Sequence, residues 1–186
     1  MKTLFVTGAA GFIGSAFIRL VLAEYPVFEV ISFDALTYAG NLDNLSGLDP
    51  RRHHFVHGDI TDRAAVLAAL PKDTSAVVNF AAETHVDRSI LSSGPFLTTN
   101  VIGTQMLLDA ARECRVERFV QISTDEVMGS LPDDENAFFT EQSPLEPNSP
   151  YAASKAAAEH LVRAAHHTFG LETLVTRCGN NYGPRQ

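Results

Sequence analysis

Along this chain, short runs rich in β-branched and aromatic residues alternate with longer alanine-rich segments whose apolar residues fall at helical spacing. Strands of that kind, nearly continuous in apolar residues, are buried on both faces. Joined through helices, they form a parallel sheet covered on both sides by right-handed crossovers. The spacing predicts strands at 3–7, 28–33, 54–57, 76–80, 117–122 and 172–176, and helices at 12–24, 62–70, 96–113 and 150–168. The last helix carries its own punctuation: Ser149 as cap, Pro150 in the first turn and Gly170 past the end. The expected fold class is α/β, a doubly wound parallel sheet of the Rossmann kind. Two long loops, 34–50 and 127–149, follow strand C-termini, the rim at which such sheets bind ligands. With 186 residues, 45% hydrophobic and 19% charged, the chain is large enough to form one such domain around its own core.

Charge and cysteine usage narrow the setting. A net charge of -8 argues against nucleic acid as a partner, because phosphate recognition needs clustered Lys and Arg. The apolar stretch 12–23 is short, broken by Arg19 and preceded by a glycine loop, so it reads neither as a leader nor as a membrane span. Two cysteines, Cys114 and Cys178, without a secretory leader suggest a reducing, cytoplasmic location.

The first strand runs into TGAAGFIGS, which places Gly8, Gly11 and Gly14 at three-residue spacing before a helix. Glycine there lets backbone approach a pyrophosphate, and the helix N-terminus offers free N–H groups with partial positive charge. The acid expected about 20 residues on is Asp34, at the end of the second strand. Its carboxylate would accept hydrogen bonds from ribose hydroxyls and repel a 2′-phosphate, which favours NAD over NADP. Asp59, in HGDITD, either meets the adenine or starts the next helix; Thr61 or Asp62 is the better cap. Small Ala81 and Ala82 after the fourth strand leave room for a cofactor across the sheet edge. His85, Asp87 and Arg88 suggest either a metal or a salt bridge, and the spacing alone makes a metal a weak reading.

Chemistry is signalled by two further stretches. In YAASK, Tyr151 and Lys155 lie one helical turn apart on one face, and an ammonium beside a phenol is expected to lower its pKa toward general-base range. In ISTDEVMGS, Asp125 and Glu126 stand together where the fifth strand ends, just after Ser123 and Thr124. Two carboxyls in a partly desolvated cleft do not both ionise freely, so one serves as acid and its neighbour as base, the pair that elimination of water requires. Solvated acids in a turn are the plainer alternative.

The motifs TGAAGFIGS, FDALTYAGNLDNL, GDI, AAETHVDRSI, TNVIGT, ISTDEV, SPYAASKAAAEHLV and TRCGNNYGP occur in the order and spacing of the extended short-chain dehydrogenase/reductase family. Within that family the chain resembles the dTDP-glucose 4,6-dehydratases, whose Thr-Asp-Glu element sets them apart from sugar-nucleotide epimerases. The resemblance implies an NAD-dependent lyase of deoxysugar biosynthesis, acting by C4 oxidation, C5/C6 elimination and C6 reduction. Tyr151 would be the base, Thr124 the partner of the C4 oxygen and Lys155 the ribose holder. Glu126 would take the C5 proton, and Asp125 would protonate the departing C6 hydroxyl. Phe12, Ile13, Asp34, Ala35, Leu36, Thr37, Asp59, Ile60, Phe80, Ala81, Ala82, Glu83, Thr99 and Asn181 match cofactor positions; Thr84 and Asn180 match substrate positions. A homodimer through helices 96–113 and 150–168 is implied as well. Met128 replaces the usual Tyr and is expected to alter the substrate fit; Thr84 replaces Ser and Arg185 replaces Tyr. The family continues past NNYGP into a smaller substrate domain, so residues 1–186 are expected to form the NAD-binding domain with the catalytic residues. A sugar-nucleotide epimerase, a UDP-sugar dehydratase and an NAD-binding fragment without turnover are the alternatives.

Overall fold

The computed structural model describes residues 1–134 and 136–186, so Glu135, within the long loop expected at 127–149, lies outside the described residues. Six strands, β1 (Lys2–Thr7), β2 (Phe28–Asp34), β3 (His53–His57), β4 (Ala76–Asn79), β5 (Phe119–Thr124) and β6 (Thr173–Cys178), form one sheet in the order β3-β2-β1-β4-β5-β6. Every pairing is parallel. The chain winds outward from β1 through β2 to β3, then crosses to β4 and winds the other way, so the strand order reverses between β1 and β4. Ligands of open parallel sheets bind outside the strand C-termini at such a switch point.

The two-residue period of the strands sorts their side chains onto two cores. Phe5, Phe33, Val77 and Phe119 pack with Leu107, Leu108 and Val162 on one face; Leu4, Val6, Val30 and Val78 pack with Ile18 and Val21 on the other. The helices supplying these faces are α1 (Phe12–Glu24), α2 (Arg63–Ala69), α5 (Thr104–Glu113) and α6 (Pro150–Phe169); the short α3 (Val86–Leu91) and α4 (Gly94–Phe96) lie between β4 and α5. α6 begins with Ser149 accepting from the Ala152 N–H at 3.0 Å and ends at Gly170 in the left-handed region, as its sequence signals predicted.

Three differences from the expected elements bear on the site. β5 and β6 both run two residues further than predicted, which places Ser123, Thr124 and Cys178 within strands. The helix expected at 96–113 contains a π-helical stretch, Leu97–Gly103, before α5; over two turns, apolar spacing does not distinguish closure at i+4 from closure at i+5. The short α3 was not anticipated, since VDRSIL has too few turns to show a period. Among the described residues no helix is long and apolar enough to cross a membrane.

Candidate active site

A cavity of about 700 Å³ opens at the C-terminal rim of the sheet, over the switch point. Its floor is the turn from β1 into α1. Gly8 has φ +61°, and a Cβ added there would lie 2.6 Å from the backbone of Phe80 and Ala81; one added at Gly14 would lie 2.3 Å from the Gly8 carbonyl oxygen. Glycine at these two positions lets the turn press against the end of β4 and against itself. α1 has Gly11 as its cap residue and no capping side chain, whereas α2 is capped by Asp62 and α6 by Ser149. Phe12, Ile13 and Gly14 line the cavity at this uncapped helix start, where first-turn N–H groups lack a side-chain acceptor and the helix dipole adds positive potential.

Two loops close the sides. Asp34 is buried; one carboxylate oxygen accepts from the Ala10 N–H at 2.9 Å and the other from the Leu36 N–H at 2.8 Å. Each oxygen keeps a lone pair for a further donor. Asp59 accepts from the Thr61 N–H and hydroxyl, both at 2.8 Å, while Asp62 caps α2, as the sequence suggested. Tyr38, on the loop after β2, stacks on His85, on the segment after β4, at 5.3 Å between ring centroids, and the Arg88 guanidinium sits 4.7 Å from the Tyr38 ring centre. His85 and Arg88 thus meet an aromatic ring.

Beneath the cavity runs a chain of buried polar groups. The Thr7 hydroxyl donates to Asn79 at 2.6 Å, and the Asn79 amide donates to Gln121 at 2.9 Å. Asn100, in the π-helical stretch, donates to the Glu83 carbonyl at 3.0 Å and to the Ser154 hydroxyl at 2.8 Å, and accepts from the Glu83 N–H. Ser154 donates to the Tyr151 carbonyl, and the Tyr151 N–H donates to Ser89. These bonds fix the start of α6, and with it Tyr151, against the segment after β4.

The opposite wall carries Thr124, Glu126, Tyr151 and Lys155. Asp125 and Glu126 open a 3₁₀ turn, Asp125–Met128, capped by Thr124, whose hydroxyl accepts from the Glu126 N–H at 3.3 Å. Carboxylates in the first turn of a helical segment are favoured by its free N–H groups, which is a local reason for the adjacent pair at the strand end. Glu126 faces the cavity, and burial, followed by the charge of Asp125, holds its carboxyl above the ordinary range. Asp125 does not line the cavity. One of its oxygens accepts from the Thr124 hydroxyl at 3.3 Å and the other lies beside Gly179.

The expected effect of Lys155 on Tyr151 is not what the structure has. Lys155 is buried and donates to the Ile122 carbonyl at 2.6 Å; burial lowers its pKa to about 8, against the upward pull of Glu159. Tyr151 is pushed up to about 12 by burial and by Glu126, with the Thr124 hydroxyl opposing the rise. A single helical turn between the two residues did not reveal that the lysine ammonium would reach a strand carbonyl.

All the sequence-predicted cofactor positions line the cavity except Leu36, whose side chain packs into the core under the loop while its backbone serves Asp34. Thr84 and Asn180, the predicted substrate positions, line it too. Met128 does not: it is buried with Val127, Ala156 and Phe139, and its sulfur takes the Arg177 guanidinium at 3.6 Å, so the expected change in substrate fit has no direct contact behind it. Several lining residues were missed, among them Ser123, Cys178, Gly179 and His85. The displaced ends of β5 and β6 account for the first three. Both cysteines are free.

Similar proteins place this geometry. The chain is 55% identical over 182 residues to the low-salt glycan biosynthesis protein Agl12 of Haloferax volcanii, covering 97% of this chain and 57% of that protein. It is 51% identical to a dTDP-glucose 4,6-dehydratase of Xanthomonas campestris, covering 99% of this chain and 54% of that one. It superposes on DesIV, the dTDP-glucose 4,6-dehydratase of Streptomyces venezuelae solved with NAD bound, with a TM-score of 0.92 and 53% identity, over 100% of this chain and 58% of that one. The chain thus spans about half the length of the curated relatives it matches. The family model described as GDP-mannose 4,6 dehydratase matches residues 5–186, and the chain belongs to that family of extended short-chain dehydrogenases/reductases.

Proposed function

We propose that residues 1–186 form the NAD-binding and chemical part of a nucleotide-sugar 4,6-dehydratase that converts dTDP-glucose to the 4-keto-6-deoxy sugar nucleotide and water. The observation that carries this reading is the convergence of Thr124, Glu126, Tyr151 and Lys155 on the same cavity as the uncapped α1 N-terminus and Asp34. The residues present fit NAD: three free N–H groups suit a pyrophosphate, the close-packed glycine turn admits it, and Asp34 has lone pairs left for a ribose diol. NAD, when bound, supplies reversible redox chemistry and a positively charged ring.

Each side chain then has a task suited to its surroundings. Tyr151 keeps its proton at about 12 in the structure and becomes a useful base for the C4 hydroxyl once positive charge enters the cavity. Thr124 holds the C4 oxygen, and Lys155 holds the ribose. Glu126, whose raised pKa makes its carboxylate a stronger base, removes the C5 proton that a 4-keto group acidifies. Asp125 stands just outside the cavity lining on the Thr124 hydroxyl, so in this reading its carboxyl turns toward the bound hexose and protonates the C6 oxygen that departs as water. Over the whole cycle one water is lost and no net oxidation occurs. Reading of the nucleotide base falls to the part of the longer relatives that this chain does not span, and Leu97 and Ile102, exposed along the helix after Gly94, suit pairing with a second copy in a cytoplasmic homodimer.

Incubation with NAD and dTDP-glucose followed by mass spectrometry tests the proposal. Loss of one water that disappears in Asp125→Asn and Glu126→Gln supports it, and isomerised hexose of unchanged mass would point to an epimerase. NAD binding without either conversion would reduce the chain to a cofactor-binding fragment.

A further inference from the structure

On the α6 side of β5, polar side chains are engaged until the strand reaches the cavity. Gln121 accepts from Asn79 at 2.9 Å and donates to the Ile122 carbonyl at 3.3 Å. Two residues on, Ser123 is 5% exposed, and its hydroxyl is the one buried side-chain polar atom without a hydrogen-bond partner among the described residues. Ser123 lines the cavity. Its neighbours have partners in the structure: Ile122 gives its carbonyl to Lys155, and Thr124 is bonded to Asp125 and the Glu126 N–H. Lys155, which also lines the cavity, has one of its three N–H donors on Ile122.

A buried hydroxyl with no partner costs stability, and such a group in a ligand cavity is explained by a partner that arrives with the ligand. We propose that Ser123 is a ligand-holding residue: its hydroxyl grips a hydroxyl group of a sugar ring in the cavity. This rests on the reading of the cavity as a site for NAD and a nucleotide sugar. The sugar is either the ribose on the nicotinamide side of the cofactor or the hexose of the substrate, and the two are separable.

Ser123→Ala is compared with wild type in three measurements: thermal unfolding without ligand, titration with NADH and with ADP, and titration of the NAD-loaded chain with dTDP-glucose. Unfolding at the same or a higher temperature is expected, because the variant removes an unpartnered polar group. Binding weakened by about tenfold for NADH but not for ADP places the hydroxyl on the ribose. The same loss seen only for dTDP-glucose places it on the hexose. A lower unfolding temperature would overturn the proposal by showing that the hydroxyl has a structural role, and unchanged binding of NADH and dTDP-glucose alike would overturn it too. Wild type that binds no NADH would remove the underlying reading of the cavity together with this inference, whereas wild-type binding matched by the variant removes the inference alone.

Discussion

Gly8→Ala and Gly170→Ala form a matched pair that isolates what the floor of the cavity demands. Both glycines are left-handed, at φ +61° and +72°, so alanine at either costs about 1–2 kcal/mol for the backbone conformation. Around Gly170 nothing lies within 4 Å of the added Cβ, whereas at Gly8 that atom would meet the backbone of Phe80 and Ala81 at 2.6 Å. Those neighbours directly follow β4, and the Phe80 N–H donates to the Thr7 carbonyl at 3.2 Å, so their backbone cannot swing aside as a flexible side chain would. Overpacking of that kind adds about 1–3 kcal/mol, giving about 2–5 kcal/mol for Gly8→Ala against about 1–2 for Gly170→Ala. Domains of this size hold about 5–15 kcal/mol in total, so both variants should fold and the difference is measurable as a shift in urea midpoint at constant slope. Gly8→Ala should also weaken NADH binding, and Gly170→Ala should leave it alone. Equal losses of stability, or a milder Gly8→Ala, would refute the argument that close approach, beyond the torsion alone, requires glycine at this turn.

Three other outcomes follow from the geometry. Because burial holds Lys155 at about 8, below the ordinary value of 10.5, the unfolded chain carries a proton between those values that the native chain has released; wild-type stability should therefore rise with pH across that window, by up to about 3 kcal/mol, relative to Lys155→Met. The buried Glu159 carboxylate accepts from Nη2 and Nε of Arg177 at 2.8 and 3.1 Å; Glu159→Gln should cost about 3 kcal/mol in urea unfolding, since it leaves Arg177 without its partner charge. Tyr38, on the loop after β2, meets His85 and Arg88 through its ring, so Tyr38→Ala should speed NADH release in stopped-flow fluorescence several-fold while Tyr38→Phe keeps the wild-type rate.

The parallel sheet and its strands were legible because β-branched runs such as TLFVT and AVVNF are too short and too apolar for anything but buried strands, and because glycine spacing and Asp34 mark the first crossover. Residue types that must occupy a given place could also be read: an uncapped glycine turn, a capping Asp62, a tyrosine one turn before a lysine. What could not be read was direction. Whether Lys155 reaches Tyr151 or the Ile122 carbonyl depends on how α6 is rolled against β5, and that is settled by long-range packing with Ser154, Asn100 and Ser89. In the same way, Met128 was adjacent in sequence to the chemical residues but turns into a separate apolar cluster once the 3₁₀ turn after β5 rotates successive side chains apart. Ser123 stands beside Thr124 in the sequence with no sign of its own role, because an unpartnered hydroxyl is a property of three-dimensional surroundings.

The central claim, that Glu126 and its neighbours carry out an elimination on a nucleotide sugar, is tested most directly by running the reaction in deuterium oxide with NAD and dTDP-glucose and locating the isotope by NMR. The account predicts a 4-keto-6-deoxy product that carries solvent deuterium at C5, with both product and label lost in Glu126→Gln. Product that forms without deuterium at C5, or that forms undiminished in Glu126→Gln, would contradict it.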